Sequence, residues 1–365
     1  MRIGIDGRAF YGPLAGTGRY VLELCRQLDE AMPDANFFVY ANKPLELPFN
    51  GRRWSVRPDD LGLASKLPAV LWYALRAGRL AGQDGIDVFW GAANLLPLGL
   101  PSRIKTVLTI YDFVHRLYPE TQTWRNRASL NWMLPLSVAA ADRVVTISHG
   151  TALKLSQYHG READAVVSPA ASALFVAPLP DELNHWALRN DIPRRYILSV
   201  STIEPRKNLS NLIEAMLLLR SSGYMIEHEL VLVGHSGWSD EAFQNQLARA
   251  QTSGLVVKKT GRVPDVELPL WYAAADVVVM PSLYEGFGMP VLEAARCGAA
   301  VMASDVAEMR EAGGDGPVYV KPDAQGIASG ILQALDGGVS SRKVPPNFSW
   351  QVSARQMEQV LRGVL

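Results

Sequence analysis

The chain has 365 residues, of which 48% are apolar and 20% are charged, a composition typical of globular proteins and a length that suits two domains. Its 36 Lys and Arg residues equal its 36 Asp and Glu residues, which argues against a nucleic-acid partner. There is no apolar run of about 18 residues and no signal-peptide pattern at the start, so we expect a cytoplasmic protein. Cys25 and Cys297 are expected to be buried thiols rather than a disulfide or metal ligands.

Short β-rich runs alternate with helical patterns along both halves of the chain. The first half begins with MRIGID (1–6) and GTGRYVLELCRQLDEA (16–31) and continues as far as RVVTISH (143–149). The second half begins with RYILSVS (195–201), and residues 166–195 contain four prolines, which indicates an interdomain connection. The alternation predicts two doubly wound parallel sheets, with a ligand cleft at the carboxyl ends of their strands.

In the second half, PSLYEGFGMPVLEAARCG (281–298) places two acids around a turn at the end of a strand. Pro290 suits the first turn of a helix that we expect over 289–297. Glu285 then lies at the mouth of the turn and Glu293 lies one turn into the helix. Carboxylates in these places can accept hydrogen bonds from sugar hydroxyls, and the N–H groups of the Gly-Phe-Gly turn can bind an anion. The alternative is an ordinary connection with two solvated glutamates.

A second stretch, ILSVSTIEPRKNLSNLIEAM (197–216), carries two adjacent cations after a predicted strand. Arg206 and Lys207 come directly before Asn208, which is expected to cap the following helix. Cations at the carboxyl end of a strand are well placed to bind a diphosphate. The alternative is a basic pair on a solvated surface loop.

Three stretches of the second half resemble the C-terminal domain of retaining glycosyltransferases of family 4. They are EPRKN (204–208), the run from TGRVP to EAARCG (260–298) and VMASDVAEMREAGGDG (301–316). The E-x7-E signature of that family matches at Glu285 and Glu293. In combination these motifs are highly specific.

The first half resembles the same family through GTGRYVLELCRQL (16–28) and RVVTISHGTALKLSQY (143–158), so the resemblance covers nearly the whole chain. It implies the GT-B architecture, an α/β fold with two Rossmann-like doubly wound domains facing each other across a cleft. Residues 1–175 would form the acceptor-side domain, and residues 190–348 would form the domain that binds a nucleotide sugar. A last helix at 350–365 would cross back to the first domain.

The resemblance also implies roles for individual residues. Arg206 and Lys207 would neutralise the donor diphosphate, Glu285 would contact the transferred sugar, and Glu293 would hold the ribose hydroxyls. Gly261, Arg262 and Val263 would lie against the base, and Gly16 and Gly18 would let the backbone approach the diphosphate or acceptor. The remaining donor-binding positions are Phe287, Gly288 and Met289.

One stretch departs from the family pattern. Members commonly carry His-Asp after the strand that here is followed by Tyr111 and Asp112, and that histidine reaches toward the donor sugar. Tyrosine can hydrogen-bond a sugar hydroxyl, but with a pKa of about 10 it does not gain or lose a proton near pH 7 as histidine can. His115 could replace the histidine if its loop folds inward, or it could face solvent. Sugar or acceptor contacts are therefore expected from Tyr111, Asp112 and His115.

The expected reaction is front-face transfer with retention, in which cations and helix N–H groups stabilise the leaving diphosphate. No Asp-x-Asp metal clamp is evident, so no divalent metal and no cofactor are expected. The opening, MRIGIDGR (1–8) and GTGRYVLEL (16–24), resembles the mannosyltransferase-like branch of the family. That resemblance implies GDP-mannose as donor and a glycan or lipid-linked acceptor in bacterial polysaccharide or lipopolysaccharide assembly. The alternatives are a UDP-glucose or UDP-N-acetylglucosamine transferase, a nucleotide-sugar epimerase and a noncatalytic nucleotide-sugar-binding protein. The sequence leaves the oligomeric state open.

Aromatic residues concentrate in two stretches of the first half, 67–80 and 115–135. In the second stretch they are interleaved with arginines, which would suit peripheral contact with the inner membrane surface and a lipid-linked acceptor. Packing of long helices with solvated arginines explains the pattern equally well. The interleaved residues are Arg116, Tyr118, Trp124, Arg125, Arg127 and Trp132.

Overall fold

The computed structural model describes residues 1–12, 16–47, 51–59, 66–190, 192–235, 237, 241–337 and 348–365. The chain divides into two compact units. The first comprises Met1–Ala170 together with Asn347–Leu365, and the second comprises Ala171–Pro346.

Each unit contains one parallel sheet flanked by helices. Within the described residues, the strands of the first sheet are β1 (Arg2–Asp6), β2 (Asn36–Ala41), β3 (Trp54–Pro58), β4 (Val88–Gly91), β5 (Lys105–Ile110), β6 (Arg143–Thr146) and β7 (Ala165–Val166). Those of the second sheet are β8 (Tyr196–Val200), β9 (Glu229–Val233), β10 (Val257–Gly261), β11 (Val277–Met280), β12 (Val301–Ser304) and β13 (Val318–Val320).

The strand order is β3-β2-β1-β4-β5-β6-β7 in the first sheet and β10-β9-β8-β11-β12-β13 in the second. The order therefore reverses between β1 and β4 in one unit and between β8 and β11 in the other. Open α/β sheets bind ligands at such switch points, outside the carboxyl ends of the strands. The expected class of two doubly wound parallel sheets is confirmed.

The helices connect successive strands and cover both sheets. In the described part of the chain they are α1 (Thr17–Ala31), α2 (Ala69–Trp72), α3 (Gly78–Gln83), α4 (Val114–Leu117), α5 (Trp124–Ala140), α6 (His149–His159), α7 (Pro180–Arg189), α8 (Leu209–Ser221), α9 (Glu241–Thr252), α10 (Leu268–Ala274), α11 (Met289–Arg296), α12 (Ala307–Gly313), α13 (Ala324–Leu335) and α14 (Trp350–Gly363). Short 3-10 turns occur at Gly7–Phe10, Pro119–Thr121 and Pro205–Lys207, and Tyr73–Ala77 is π-helical.

Burial on both faces explains the apolar strand sequences. β11 reads Val-Val-Val-Met, and all four of its residues are buried because helices cover both sides of a parallel sheet. Polar residues then mark where helices begin. Ser148 accepts from Thr151 N to cap α6, and left-handed Gly160 follows the last residue of that helix.

The C-terminal helix α14 packs against α1 in the first unit. Ser353 Oγ donates to Ser168 O at 2.6 Å, and the Arg362 guanidinium pairs with Asp34 at 2.6 Å. The Trp350 ring meets the Tyr20 ring edge-on, with centroids 5.8 Å apart. These contacts attach the end of the chain to the sheet that its beginning forms.

The proline-containing connection is more regular than the sequence indicated. It contains α7, whose Trp186 packs edge-on against Trp271 of α10 at a centroid distance of 5.1 Å. Pro180 occupies the first turn of α7, where a missing N–H removes no helix bond. Low helical periodicity in the sequence hid a ten-residue helix because few of its residues are buried.

The two aromatic stretches of the first unit behave differently. In the first stretch, Trp72 and Tyr73 are fully buried, and Trp72 Nε1 donates to Asp59 Oδ2 at 2.7 Å. In the second, Trp124 is 70% exposed and Trp132 is 65% exposed. The first stretch therefore belongs to the core, and the aromatic surface lies on α5.

Candidate active site

The site of the second unit is built where the loops after β8 and β11 meet. These two strands are neighbours at the switch point of the sheet. Leu283 N donates to Arg206 O at 2.9 Å, and Asn208 Nδ2 donates to Pro281 O at 3.0 Å. The structure thus brings together the two stretches that the sequence singled out.

Arg206 and Lys207 both hydrogen-bond to Glu285. Arg206 Nη1 lies 2.7 Å from Glu285 Oε2, and Lys207 Nζ lies 2.5 Å from Oε1. Ser282 Oγ donates to the same Oε1 at 2.7 Å, and Arg206 Nη2 donates to Glu204 Oε1 at 2.7 Å. Two cations and two carboxylates therefore form one formally neutral cluster. Glu204 is a member that the sequence reasoning missed, although it directly precedes Pro205 in the EPRKN stretch.

The cluster fixes the charge state of Glu285. Burial by itself would raise the pKa of this carboxyl, but the Arg206 and Lys207 cations outweigh burial and lower the pKa to about 2. Burial and repulsion by Arg206 lower the pKa of Lys207, while Glu285 opposes that change. Glu285 is therefore ionised at neutral pH, which suits it to contact hydroxyls and not to act as a general acid.

The second acid, Glu293, lies in the middle of α11 and is 3% exposed. Tyr272 Oη donates to Glu293 Oε2 at 3.1 Å. Gly288 precedes the helix with φ 102°, a conformation that favours glycine, and Pro290 occupies the first turn as expected. The helix ends at Arg296, one residue before the predicted end.

The side chain of Asn208 does not cap α8, although the position of the residue predicted that it would. It precedes α8 in the left-handed conformation, with φ 58°, and its side chain makes no capping hydrogen bond. Its Nδ2 instead donates to Pro281 O and, at 2.7 Å, to Pro322 O. The expectation of a side-chain cap is wrong because the amide ties the loops after β8, β11 and β13 together.

Of the predicted base-binding residues, Gly261 is the last residue of β10, and Arg262 and Val263 follow it. This strand lies two places from β8 in the sheet, so the loop shares the edge of the sheet but not the cation cluster. Gly261 has φ 72° and accepts from Gly234 N at 2.9 Å. Arg262 forms a 3.6 Å ion pair with Asp265.

In the first unit, Gly16 and Gly18 lie at the start of α1. Gly16 precedes the helix with φ 47°, is exposed, and accepts from Tyr20 N at 3.0 Å, whereas Gly18 is buried within the first turn. Residues 13–15 of the predicted glycine loop lie outside the described residues. The positive φ explains a glycine at position 16 but not at position 18.

Two of the three predicted sugar contacts turn into the core. The Tyr111 hydroxyl donates to Ala92 O at 2.7 Å, and its ring packs edge-on against Tyr20. His115 is 3% exposed, so the solvent-facing alternative is wrong, and burial together with the Arg116 and His159 charges lowers its pKa to about 4. Asp112 is half-buried and accepts from Val114 N at 3.0 Å. Asp112 alone of the three lies at the strand end with a partly exposed side chain.

Comparison with known proteins identifies the family. Residues 14–170 match the family model described as Glycosyltransferase Family 4, and residues 194–337 match the model Glycosyl transferases group 1. The chain is 30% identical over 338 residues to the O-antigen chain mannosyltransferase B of Escherichia coli, covering 88% of this chain and 87% of that protein. The chain belongs to glycosyltransferase family 4. This glycosyltransferase is also 29% identical to the MMP alpha-(1->4)-mannosyltransferase of Mycolicibacterium hassiacum, over 98% of its own length and 96% of that protein's.

Solved structures show that the glycosyltransferase has the GT-B fold. Sucrose-phosphate synthase from Thermosynechococcus elongatus superposes with a TM-score of 0.78 at 19% identity, covering 100% of this chain and 98% of that one. WaaG, a glycosyltransferase involved in lipopolysaccharide biosynthesis, gives a TM-score of 0.69 at 16% identity, covering 97% of this chain and 94% of that one.

A glycosyltransferase needs a sugar donor and an acceptor. In the described part of the chain, no group of three His, Cys, Asp or Glu side chains is placed to hold a metal ion. Nor is any helix in that part both long enough and apolar enough to cross a membrane.

Proposed function

We propose that this glycosyltransferase transfers mannose from GDP-mannose, with retention, to a glycan or lipid-linked acceptor in bacterial polysaccharide or lipopolysaccharide assembly. The observation that carries the proposal is the cluster of Arg206, Lys207 and Glu285 at the switch point of the second sheet. The choice of mannose is supported by the relatives named as mannosyltransferases in Escherichia coli and Mycolicibacterium hassiacum.

The cluster supplies the electrostatics that transfer requires. As the sugar leaves, negative charge builds up on the diphosphate, and fixed N–H donors stabilise that charge most when water is excluded. The donor diphosphate would take the hydrogen bonds that Arg206 and Lys207 now make to Glu285. The Glu285 carboxylate, released from the cations, would accept from hydroxyls of the transferred sugar. A phosphate oxygen of the departing nucleotide would take the acceptor proton.

The segment before α11 would complete the donor site. Backbone N–H groups of Phe287, Gly288 and Met289 lie at the positive end of the helix, where sugar hydroxyls and phosphate oxygens are bound best. Glu293 would accept from the ribose hydroxyls while Tyr272 fixes its carboxylate. Because these side chains and N–H groups supply the electrostatics, we propose that transfer needs no divalent metal.

The loop after β10 would hold the base. Gly261 ends the strand with a left-handed backbone, and Arg262 and Val263 follow it at the same edge of the sheet. In the first unit, Gly16, Gly18 and Asp112 would face the diphosphate or acceptor. Asp112 is favoured over Tyr111 and His115, because their polar atoms are buried in the core.

We also propose that the protein works in the cytoplasm, with α5 resting on the inner membrane surface. Trp124 and Trp132 expose large aromatic surfaces, and Arg125 lies 5.3 Å from the Trp124 ring centre. Tryptophan prefers the interface between lipid and water, and arginine is attracted to anionic headgroups. Sedimentation with vesicles that contain anionic lipid should fall when both tryptophans become serine. Leu153→Ser on α6, which removes another exposed apolar side chain, is the matched control.

The donor is tested by calorimetric titration with GDP, UDP, ADP and dTDP, with Glu293→Ala as control. We expect GDP to bind and the variant to bind it at least tenfold more weakly. Binding of UDP instead would overturn the mannose assignment and favour a glucose or N-acetylglucosamine donor. If no nucleotide binds, the transferase proposal fails. Binding followed by conversion of the sugar without an acceptor would favour an epimerase, and binding with neither conversion nor hydrolysis would favour a noncatalytic protein.

A further inference from the structure

Arg8 lies at the switch point of the first sheet. β1 ends at Asp6, the 3-10 turn Gly7–Phe10 carries Arg8, and the neighbouring strand β4 ends at Gly91. Arg8 Nη2 donates to Ala93 O at 3.2 Å, so the side chain reaches from the end of one strand to the end of the other. This is the place in an open α/β sheet where a ligand is expected.

The Arg8 guanidinium is held rigidly from three directions. Nε donates to Asp6 Oδ1 at 3.0 Å, and Nη2 donates to Oδ2 at 2.6 Å. The face of the group lies 3.8 Å from the centre of the Tyr73 ring, and Tyr73 Oη in turn donates to Leu95 O at 2.9 Å. The side chain of Arg8 is only 10% exposed, and that of Asp6 is fully buried. The guanidinium therefore has a single orientation before any ligand arrives.

One guanidinium nitrogen of Arg8, Nη1, makes no hydrogen bond within the described residues. Nε and Nη2 are fully used. The side chain that carries Nη1 keeps 10% of its surface exposed. A salt bridge this buried adds little net stability, because both ions lose their hydration. The Arg8–Asp6 pair is better explained by a role in binding, because it fixes a hydrogen-bond donor at the edge of the sheet where a ligand is expected.

We propose that Arg8 Nη1 donates a hydrogen bond to a hydroxyl of an uncharged saccharide acceptor. The inference rests on the proposed function and adds a binding residue on the acceptor side. An uncharged ligand is favoured because Asp6 cancels the charge of Arg8, so a phosphate would meet a neutral pair. Asp6 and Tyr73 are positioning residues, since they act by holding the guanidinium.

The test compares wild type and Arg8→Lys with GDP-mannose as donor and mannotriose, chitotriose or maltotriose as acceptor. The lysine keeps a positive charge beside Asp6 but has no Nη1. We expect the KM for the acceptor to rise about tenfold, as for the loss of one hydrogen bond, while the Kd for GDP is unchanged. Arg2→Lys is the matched control, because Arg2 lies at the opposite end of β1 and bonds Asp84 O. It should leave both constants unchanged.

A second variant tests whether the change in KM comes from a folding defect. The double variant Asp6→Asn/Arg8→Gln removes both charges, so no buried charge is left unpaired. We expect a thermal midpoint near that of wild type together with the raised acceptor KM. A wild-type acceptor KM in either folded variant would overturn the proposal. The proposal would also be overturned if the variants raised the KM only for a charged acceptor, mannose 6-phosphate. Hydrolysis of the donor by wild type without transfer to any of the three saccharides would overturn it as well. If the wild type neither binds GDP nor hydrolyses the donor, the proposed function itself fails.

Discussion

Arg206 and Glu285 are 79 positions apart in the chain, yet Nη1 of one lies 2.7 Å from Oε2 of the other. The contact forms because β8 and β11 pair as parallel neighbours, so the loops at their carboxyl ends share one edge of the sheet. Since Lys207 bonds the same carboxylate, a donor diphosphate bound as we propose would have to compete with Glu285 for both cations.

The first prediction follows from that competition. Glu285→Gln should leave GDP affinity unchanged or raise it severalfold, because a neutral amide holds the two cations less strongly. Transfer should fall on the order of 100-fold, since the carboxylate that contacts the sugar is lost. Calorimetry with GDP and steady-state transfer measure the two effects. Glu214→Gln, which breaks a surface pair with Arg249, is the control. A large loss of GDP affinity with normal turnover would contradict the assignment.

The second prediction concerns Tyr272, whose hydroxyl donates to Glu293 Oε2. Tyr272→Phe keeps the ring but removes the donor, so Glu293 should bind ribose less well. We expect the Kd for GDP to rise between about threefold and tenfold, as for the loss of roughly 1 kcal/mol. Tyr196→Phe is the matched control, because it removes a buried hydroxyl that donates to Trp271 O in the same unit. Equal effects of the two variants on GDP binding would exclude a positioning role.

The third prediction tests the Asn208 amide, which joins Pro281 O and Pro322 O. Asn208→Gly retains the left-handed backbone but leaves both carbonyls without this donor. We expect a loss of ~1–3 kcal/mol in the free energy of unfolding, with a lower kcat because the loop that carries Arg206 and Lys207 is less firmly held. Thermal unfolding and transfer assays check the two effects. Asn211→Ala removes the hydrogen bond to Asn208 Oδ1 and a longer one, at 3.4 Å, to Pro322 O, but leaves the Asn208 amide in place, so it should cost less on both measures.

The sequence placed Arg206, Lys207 and Glu285 at one edge of the second sheet, as the structure has them, because their signal is local. Arg206, Lys207 and Glu285 each follow an apolar run that is recognisable as a buried strand, and the carboxyl ends of parallel strands meet at one edge. The pairing of Glu285 with both cations was not predictable in this way. It depends on which strands are neighbours and on which way each side chain turns.

The sequence failed where tertiary contacts decide a side chain's surroundings. Tyr111 follows a strand in a place where a sugar contact was expected, but Tyr20 of α1 packs on its ring and draws it into the core. Arg8 has no signal of its own within MRIGIDGR, because its surroundings are made by Tyr73 and Ala93, which come more than sixty positions later. Neither contact leaves a periodic signal in the chain.

The fourth prediction separates packing from sugar contact at Tyr111. Tyr111→Phe leaves Ala92 O without its donor and should lower the free energy of unfolding by ~1–2 kcal/mol. Transfer should stay within about twofold of wild type, because the lost hydroxyl points into the core. Tyr20→Phe removes a similar hydrogen bond, to Val167 O, and should behave alike in both assays. If kcat/KM falls tenfold in Tyr111→Phe alone, the hydroxyl contacts the sugar after all.

The fifth prediction is a pH dependence of stability that arises from His115. Burial, with help from the positive charges of Arg116 and His159, lowers its folded pKa from 6.5 to about 4. Between pH 6.5 and pH 4, His115 is protonated in the unfolded chain but stays neutral in the folded protein. His115 therefore does not reduce the free energy of unfolding above about pH 6.5. As the pH falls from 6.5 toward 4, the free energy of unfolding decreases by at most ~3 kcal/mol on account of this residue.

His115→Gln removes the titrating group, so its thermal midpoint should fall less steeply than that of wild type between pH 6.5 and 4.5. His185→Gln provides the control, because His185 is exposed on α7 in the other unit, and it should keep the wild-type slope. A wild-type slope in His115→Gln would mean that His115 binds its proton equally well in the folded and unfolded states. That result would contradict burial of the ring beside Phe113, and the sugar-contact hypothesis for His115 would regain support.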